Sequence, residues 1–198
     1  MAEQPAAEKT TFTTVFEVGP SALEQAQGIA DRFQHAIAPA TVDFDFGEIS
    51  RVADGIPDGS TVKIIRGWGL QETAPVGVMV LSLREAVRQA LTHPFGNPAF
   101  WEKAEAALAD AFIGLDGQEG THLSFYEESA DRTSYYYNLL FALQDEETEN
   151  FVYAIAFCAD VTLALDAEKA RRLTLDDVAQ FAIRLNALAI RQELRPTA

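Results

Sequence analysis

An apolar segment of fifteen residues, FVYAIAFCADVTLAL at Phe151–Leu165, has two different faces. With the period of two that a β-strand imposes, bulky side chains alternate with mostly small ones such as Ala154, Ala156 and Cys158. One strand of this length would extend about 50 Å, at roughly 3.3 Å per residue. Ordinary strands have about 5–6 residues, and about 9–11 residues of tilted strand cross a bilayer. The segment therefore predicts either the centre of a thick sandwich or a strand that can leave the fold and enter a membrane.

The preceding segment, TSYYYNLLFALQD at Thr133–Asp145, alternates in the same way. Between the two segments lies the acidic stretch Glu146–Asn150, which favours a short solvated turn. Together the segments predict a long antiparallel hairpin. The hairpin has two interpretations, since it could be packed permanently between helix layers or be able to insert into lipid.

Helical periodicity predicts a first pair of helices before residue 60. Ser21 is a candidate N-cap, and Glu24 three residues later would complete a capping box. A second, shorter helix opens at Asp45 or Gly47 and stops at Gly55.

A second pair of helices follows, after a short strand at Thr61–Ile65 and a loop at Gly67–Gly69. The third helix spans Thr73–Thr92, and Asn97 caps the fourth, with proline at its first position. Two further strands are predicted, at Thr11–Val18 and Thr121–Ser129. The C-terminal stretch from Thr174 fits both a capped helix and an alternating strand, and periodicity leaves both open.

The composition excludes several classes of function. A chain of 198 residues with 48% hydrophobic content is long enough for one domain with a full core. Its net charge of −15 argues against nucleic-acid binding and against attraction to anionic lipid, because both need clustered basic residues. Residues 1–10 form a polar leader without the pattern of a signal peptide. We therefore expect a chain made as a soluble protein, with a single domain at residues 11–198.

Catalytic and metal-binding motifs are not found in the sequence. The three histidines, His35, His93 and His122, have no metal-ligand spacing, and no phosphate-binding loop or nucleophile elbow occurs. The single cysteine, Cys158, is expected to be a buried core residue more than a reactive thiol. Asp160 is expected to pair with an arginine or a hydroxyl, or to lie near the sheet end, because an unpaired buried carboxylate is costly. We predict no enzyme activity, no cofactor and no metal.

The block SYYYNLLF at Ser134–Phe141, followed by the acidic turn, resembles the tyrosine-rich hairpin strand of the Cyt-type δ-endotoxins, a family of bacterial cytolytic insecticidal toxins. Further blocks resemble the helices and turns of this family in the same order: Ala26–Ala36, Phe44–Phe46, Ala53–Asp58 with Val62–Lys63, Val78–Val80 and Phe100–Trp101. The blocks span Phe16–Leu194, which is nearly the whole chain.

This resemblance implies a single-domain three-layer α/β/α sandwich. A mostly antiparallel, long-stranded sheet would be wrapped by two helix hairpins, one on each face, and Gln180–Arg191 would be a strand. It also implies a pore-forming cytolysin that binds the phospholipid membrane of a target cell directly, associates with itself there and inserts its long strands. We expect such a protein to be released from the cell that makes it. The candidate membrane-insertion residues are Tyr135, Tyr137, Leu139, Phe141, Leu143, Phe151, Tyr153, Ile155, Phe157, Val161, Leu163, Phe181, Ile183 and Leu185.

An alternative function on the same fold is a non-lytic protein that binds a lipid or another apolar ligand. The small side chains of Ala154, Ala156 and Cys158 could leave room for a ligand between sheet and helix layer, although close helix packing is the commoner use of small residues.

Overall fold

A computed structural model of the chain describes residues 12–37, 45–91, 97–119, 123–144 and 150–195, with residue 124 described by its backbone alone. The predicted leader, residues 1–10, and residues 146–149 of the predicted acidic turn lie outside the described residues. The strands are β1 (Phe12–Glu17), β2 (Gly59–Pro75), β3 (Leu123–Glu128), β4 (Thr133–Leu143), β5 (Phe151–Leu163) and β6 (Val178–Glu193). The helices are α1 (Leu23–Gln34), α2 (Phe46–Asp54), α3 (Val76–Ala90), α4 (Pro98–Asp110), α5 (Leu115–Gln118) and α6 (Ala167–Ala170).

The six strands form one mostly antiparallel sheet. Strands β4, β5, β6 and β2 lie side by side in that order, each antiparallel to its neighbour. The outer edge of β4 is shared, because β1 pairs parallel with residues 138–143 and β3 pairs antiparallel with residues 133–137. The two predicted hairpin strands are thus confirmed as a central pair, with Leu139 opposite Phe157.

Each face of the sheet is covered by a pair of helices. Helices α3 and α4 pack on the face that carries the bulky side chains of β4 and β5, such as Phe141 and Phe157. Helices α1 and α2 pack on the other face, against small residues such as Ala154 and Ala156. The predicted three-layer sandwich with two helix hairpins is therefore confirmed, and its two layers of core follow directly from the alternation in sequence.

The helix boundaries agree with the predicted caps in two cases and differ in one. The Asp45 side chain accepts a hydrogen bond from the backbone N–H of Glu48, and the Asn97 side chain accepts from residues 99 and 100. The predicted capping box at Ser21 is wrong. Pro20 begins a 3-10 turn that contains Ser21, and Ala22 takes the N-cap position of α1 without a side-chain hydrogen bond.

Strand β2 corrects the prediction of a short strand and a loop. It runs for 17 residues, through the predicted loop and through the predicted start of the third helix at Thr73. Gly67 has a φ of 66° and lies where the register with β6 shifts, which is the conformation of a bulge inside a strand. The C-terminal ambiguity is settled in favour of a strand, β6.

Candidate functional site

The candidate insertion residues share one face of β4, β5 and β6. We call this the covered face, because α3 and α4 lie on it. Thirteen of the fourteen belong to the buried core under these helices, and Phe151 packs against its rim. The set comprises Tyr135, Tyr137, Leu139, Phe141, Leu143, Phe151, Tyr153, Ile155, Phe157, Val161, Leu163, Phe181, Ile183 and Leu185. The structure therefore brings together every residue of the set.

Ring contacts fill the space between the covered face and α4. Phe141 lies edge-on to Phe157 of the next strand and to Phe100 of α4, with ring centroids 6.2 and 6.0 Å apart. At the other end of α4, Phe112 lies edge-on to Phe181, 5.6 Å away. These ring contacts are apolar and involve no hydrogen bond.

Two tyrosines of the covered face bind the chain at the C-terminal end of α4 and in α5. The Tyr135 hydroxyl donates to the carbonyl oxygen of Ala111 at 2.6 Å, in a fully buried contact. The Tyr137 hydroxyl donates to Oε1 of Gln118 at 2.5 Å. Burial raises the pKa of Tyr137 to about 12 and raises the pKa of Tyr135 further. Both hydroxyls therefore stay protonated at neutral pH and act as donors.

An ion pair and two backbone hydrogen bonds also join the helix hairpin α3/α4 to the rest of the fold. Lys103 of α4 contacts Glu17 of β1. At the start of α3, the backbone N–H groups of Val76 and Gly77 donate to carbonyl oxygens of residues 177 and 175, each at 3.0 Å.

Helices α3 and α4 also hold each other. Arg84 of α3 forms an ion pair with Glu105 of α4 at 3.2 Å. The guanidinium groups of Arg84 and Arg88 lie 5.6 and 5.3 Å from the ring centroid of Trp101. These contacts with Trp101 were not predicted, although the i, i+4 spacing of Arg84 and Arg88 places both arginines on one side of α3. The hairpin has internal contacts that would survive its removal from the sheet.

The opposite face leaves little room beneath α1. Ala154, Ala156 and Cys158 are at most 1% exposed and pack in one cluster with Ile29 and Phe33 of α1. The small residues thus serve close helix packing, and Cys158 is confirmed as a buried core residue. Asp160, one step beyond this cluster, accepts a hydrogen bond from the Tyr126 hydroxyl, which confirms the expected pairing with a hydroxyl.

Two further observations concern the described residues only. No group of three or more His, Cys, Asp or Glu side chains among them is arranged to hold a metal ion. None of their helices is both long enough and apolar enough to cross a bilayer.

The long-stranded sheet between two helix hairpins is the architecture expected of a Cyt-type toxin, and comparison with known proteins identifies the family. The chain belongs to the Bacillus thuringiensis toxin family, whose model matches residues 2–197. It is 31% identical over 191 residues to the type-2Aa cytolytic delta-endotoxin of Bacillus thuringiensis subsp. kyushuensis, covering 96% of this chain and 74% of that protein. The type-2Ba cytolytic delta-endotoxin of subsp. israelensis is 28% identical, covering 96% of this chain and 73% of that protein.

Solved structures agree in fold over the whole chain. A delta-endotoxin structure superimposes with a TM-score of 0.89 at 29% identity, covering 100% of this chain and 88% of its own. The activated Cyt2Ba monomer from subsp. israelensis also gives 0.89, at 28% identity, covering 94% of this chain and 100% of its own. The predicted family and fold are therefore confirmed, and the relatives named here are cytolytic toxins.

Proposed function

We propose that this protein is a cytolysin that binds phospholipid directly and perturbs membranes by inserting β4, β5 and β6, without enzyme catalysis or a cofactor. The observation that carries the proposal is the covered face, an apolar surface spread over three adjacent strands beneath a helix hairpin. In this mechanism the hairpin α3/α4 leaves the sheet, and lipid replaces it on the covered face.

The dimensions of the strands support this proposal. Strands β4, β5 and β6 have 11, 13 and 16 residues. At roughly 3.3 Å per residue they extend about 36–53 Å, whereas the hydrocarbon core of a bilayer is about 30 Å thick. Each strand is therefore long enough to cross, since about 9–11 residues of tilted strand are enough.

Hydrogen bonding supports self-association as a second part of the proposal. An inserted segment of three strands would expose the outer backbone edges of β4 and β6 to hydrocarbon, where each unsatisfied N–H or C=O costs several kcal/mol. Pairing with strands of other copies removes this cost. We therefore propose that several copies assemble on the target-cell membrane after release of the protein.

A removable crosslink between α4 and the sheet tests the central step. Glu17→Cys and Lys103→Cys, in a Cys158→Ala background, replace side chains that already touch and are joined with a short, thiol-cleavable bis-maleimide. We expect the crosslinked protein to release no dye from phosphatidylcholine vesicles, and cleavage of the linker to restore release.

The matched control places the same linker within one helix, at Glu48→Cys and Arg51→Cys of α2, which form an i, i+3 ion pair. This variant should lyse vesicles whether it is crosslinked or not. Undiminished leakage from the crosslinked α4 variant would rule out departure of the hairpin. If the reduced protein instead binds fatty acid and never releases dye, the non-lytic alternative is correct.

A further inference from the structure

The face of the sheet opposite the covered face has a polar half. The apolar residues that pack under α1 and α2 end at Cys158 in β5 and at Leu188 in β6. One step beyond Cys158 on the same face, Tyr136, Asp160 and Arg184 lie side by side on β4, β5 and β6. We call these three residues, together with Tyr126 and Thr162, the polar platform.

A β-bulge turns Tyr126 onto this platform. The register of β3 on β4 steps from Phe125 opposite Tyr135 to Glu127 opposite Ser134, which leaves Tyr126 as the extra residue. Its ring stacks on Tyr136 with centroids 4.7 Å apart and planes inclined by 28°. Its hydroxyl donates to Oδ1 of Asp160 at 2.5 Å. Bulges often turn a side chain towards a functional site, and this bulge places Tyr126, which is 50% exposed, on the surface of the platform.

The polar platform carries one acidic and one basic residue, Asp160 and Arg184, on neighbouring strands. Arg184 is exposed and lies directly opposite Asp160 in the register. Among the residues that the structure describes, Arg184 forms no ion pair. The platform therefore presents a carboxylate, which accepts hydrogen bonds, and a guanidinium, which donates them, on neighbouring strands.

A surface hollow adjoins the platform at Thr162. Its volume is about 680 Å³, and its polar lining comprises Gln71, Glu72, Thr73, Asp131, Arg132, Thr162 and Gln180. Thr162 lies two residues from Asp160 on the same strand, so the hollow and the exposed ring are neighbours on one surface. Amides and hydroxyls that both donate and accept hydrogen bonds suit a ligand rich in hydroxyl groups.

We propose that the polar platform binds a neutral sugar residue of a glycan. One face of a pyranose ring is made of C–H groups and would lie on the exposed Tyr126 ring, since aromatic side chains combine an apolar face with a polar tip. Its hydroxyls would donate to Asp160 and accept from Arg184. Acyl chains would leave these polar groups unsatisfied, and an anionic ligand would meet both Asp160 and the net charge of −15. Such a site goes beyond the proposed lysis, because it lies on the face opposite the insertion residues and needs no departure of α3/α4.

The test uses an immobilised array of neutral oligosaccharides ending in galactose, N-acetylgalactosamine, N-acetylglucosamine or mannose. We expect the protein to bind at least one terminal sugar. Tyr126→Ala should weaken that binding at least tenfold, Arg184→Gln should weaken it by a similar factor, and Tyr126→Phe, which keeps the ring, should retain most of it. Trp68→Ala, which removes another exposed ring that lies outside the platform, should change nothing.

Dye release from phosphatidylcholine vesicles that carry no glycan separates this site from lysis. Tyr126→Ala should release dye as the unmodified protein does, so failure of the array and failure of the cytolysin proposal are distinguishable. Equal array signals for the protein and for both Tyr126→Ala and Arg184→Gln would overturn the glycan site. If the protein binds no sugar on the array, the glycan site is also overturned. If Tyr126→Ala and Arg184→Gln then also lose binding to vesicles, the platform binds a lipid headgroup instead. Thermal unfolding shows whether each variant is folded. If Tyr126→Ala does not fold, the result for Arg184→Gln decides whether the glycan site exists.

Discussion

Removal of the Tyr135 hydroxyl is the smallest change that should loosen α4 from the sheet. Tyr135→Phe keeps the buried ring and its edge-on contact with Phe125, 5.6 Å between centroids. It deletes the hydroxyl that donates to the carbonyl oxygen of Ala111 at 2.6 Å, where both residues are fully buried. The carbonyl loses this donor at a place without access to solvent.

The expected loss of stability follows from the burial of the Tyr135–Ala111 hydrogen bond. Loss of one partner of a buried hydrogen bond costs about 1–3 kcal/mol. Because only one oxygen atom is removed, the cavity contribution is small, and we expect the free energy of unfolding to fall by about 1–2 kcal/mol. If that energy holds α4 on the covered face, the population with the hairpin detached rises by a factor of about 5–30.

Urea denaturation measures the stability, and the initial rate of dye release measures the detachment. Tyr126→Phe is the control, since it also deletes a tyrosine hydroxyl but on the opposite face, where it donates to Asp160. We expect leakage to accelerate by the factor above for Tyr135→Phe and to stay unchanged for Tyr126→Phe. If Tyr135→Phe is destabilised as expected while its leakage rate equals that of the control, the Tyr135 hydrogen bond does not keep α4 on the covered face.

Two further predictions concern stability. Burial raises the pKa of Tyr137 from about 10 in the unfolded chain to about 12, and it raises the pKa of Tyr135 further. The unfolded chain therefore loses these protons first, so the free energy of unfolding is unaffected below pH 10 and falls as the pH rises towards 12. The urea midpoint should fall over this range, and it should fall less for Tyr135→Phe/Tyr137→Phe. Arg171→Ala should lower the free energy of unfolding by about 1–2 kcal/mol, because its guanidinium, 24% exposed, bonds two glutamates and lies 4.7 Å from the Phe125 ring. Arg171→Lys should recover less than half of that loss in urea denaturation, since lysine cannot form the bidentate pair with Glu119, and full recovery would contradict this account.

Alternation in sequence predicted the central strands better than it predicted the edges of the fold. Strands β4 and β5 were predictable because their two faces differ strongly in side-chain size, and a one-residue slip would exchange those faces. The resemblance, not the periodicity, decided the strand at β6. Strand β2 was predicted only at Thr61–Ile65, because most of its residues are exposed and no buried face marks its period. Its pairing partner β6 lies more than a hundred residues away, a contact that local pattern does not reveal.

Local chemistry also has limits within the predicted elements. Ser21 has the right side chain for an N-cap, but the preceding proline directs the chain into a 3-10 turn and the helix begins one residue later. The hydroxyl contacts of Tyr135 and Tyr137 depend on where α4 ends, at Ala111, and on the turn that brings Gln118 back to the sheet. Periodicity places both tyrosines on the covered face without naming their partners.

The positions of charge on the sheet constrain how the proposed insertion proceeds. The covered face carries no charged residue among the candidates, whereas the opposite face of the same strands carries Asp160 and Arg184. A charged side chain at the centre of a bilayer costs at least about 2.5–3.5 kcal/mol, so this opposite face cannot also lie against lipid. The three strands must therefore keep one face in water or against other copies while the covered face meets the acyl chains. The proposed self-association is consistent with this requirement, since contact with other copies would shield the polar platform from lipid while α3 and α4 leave the covered face.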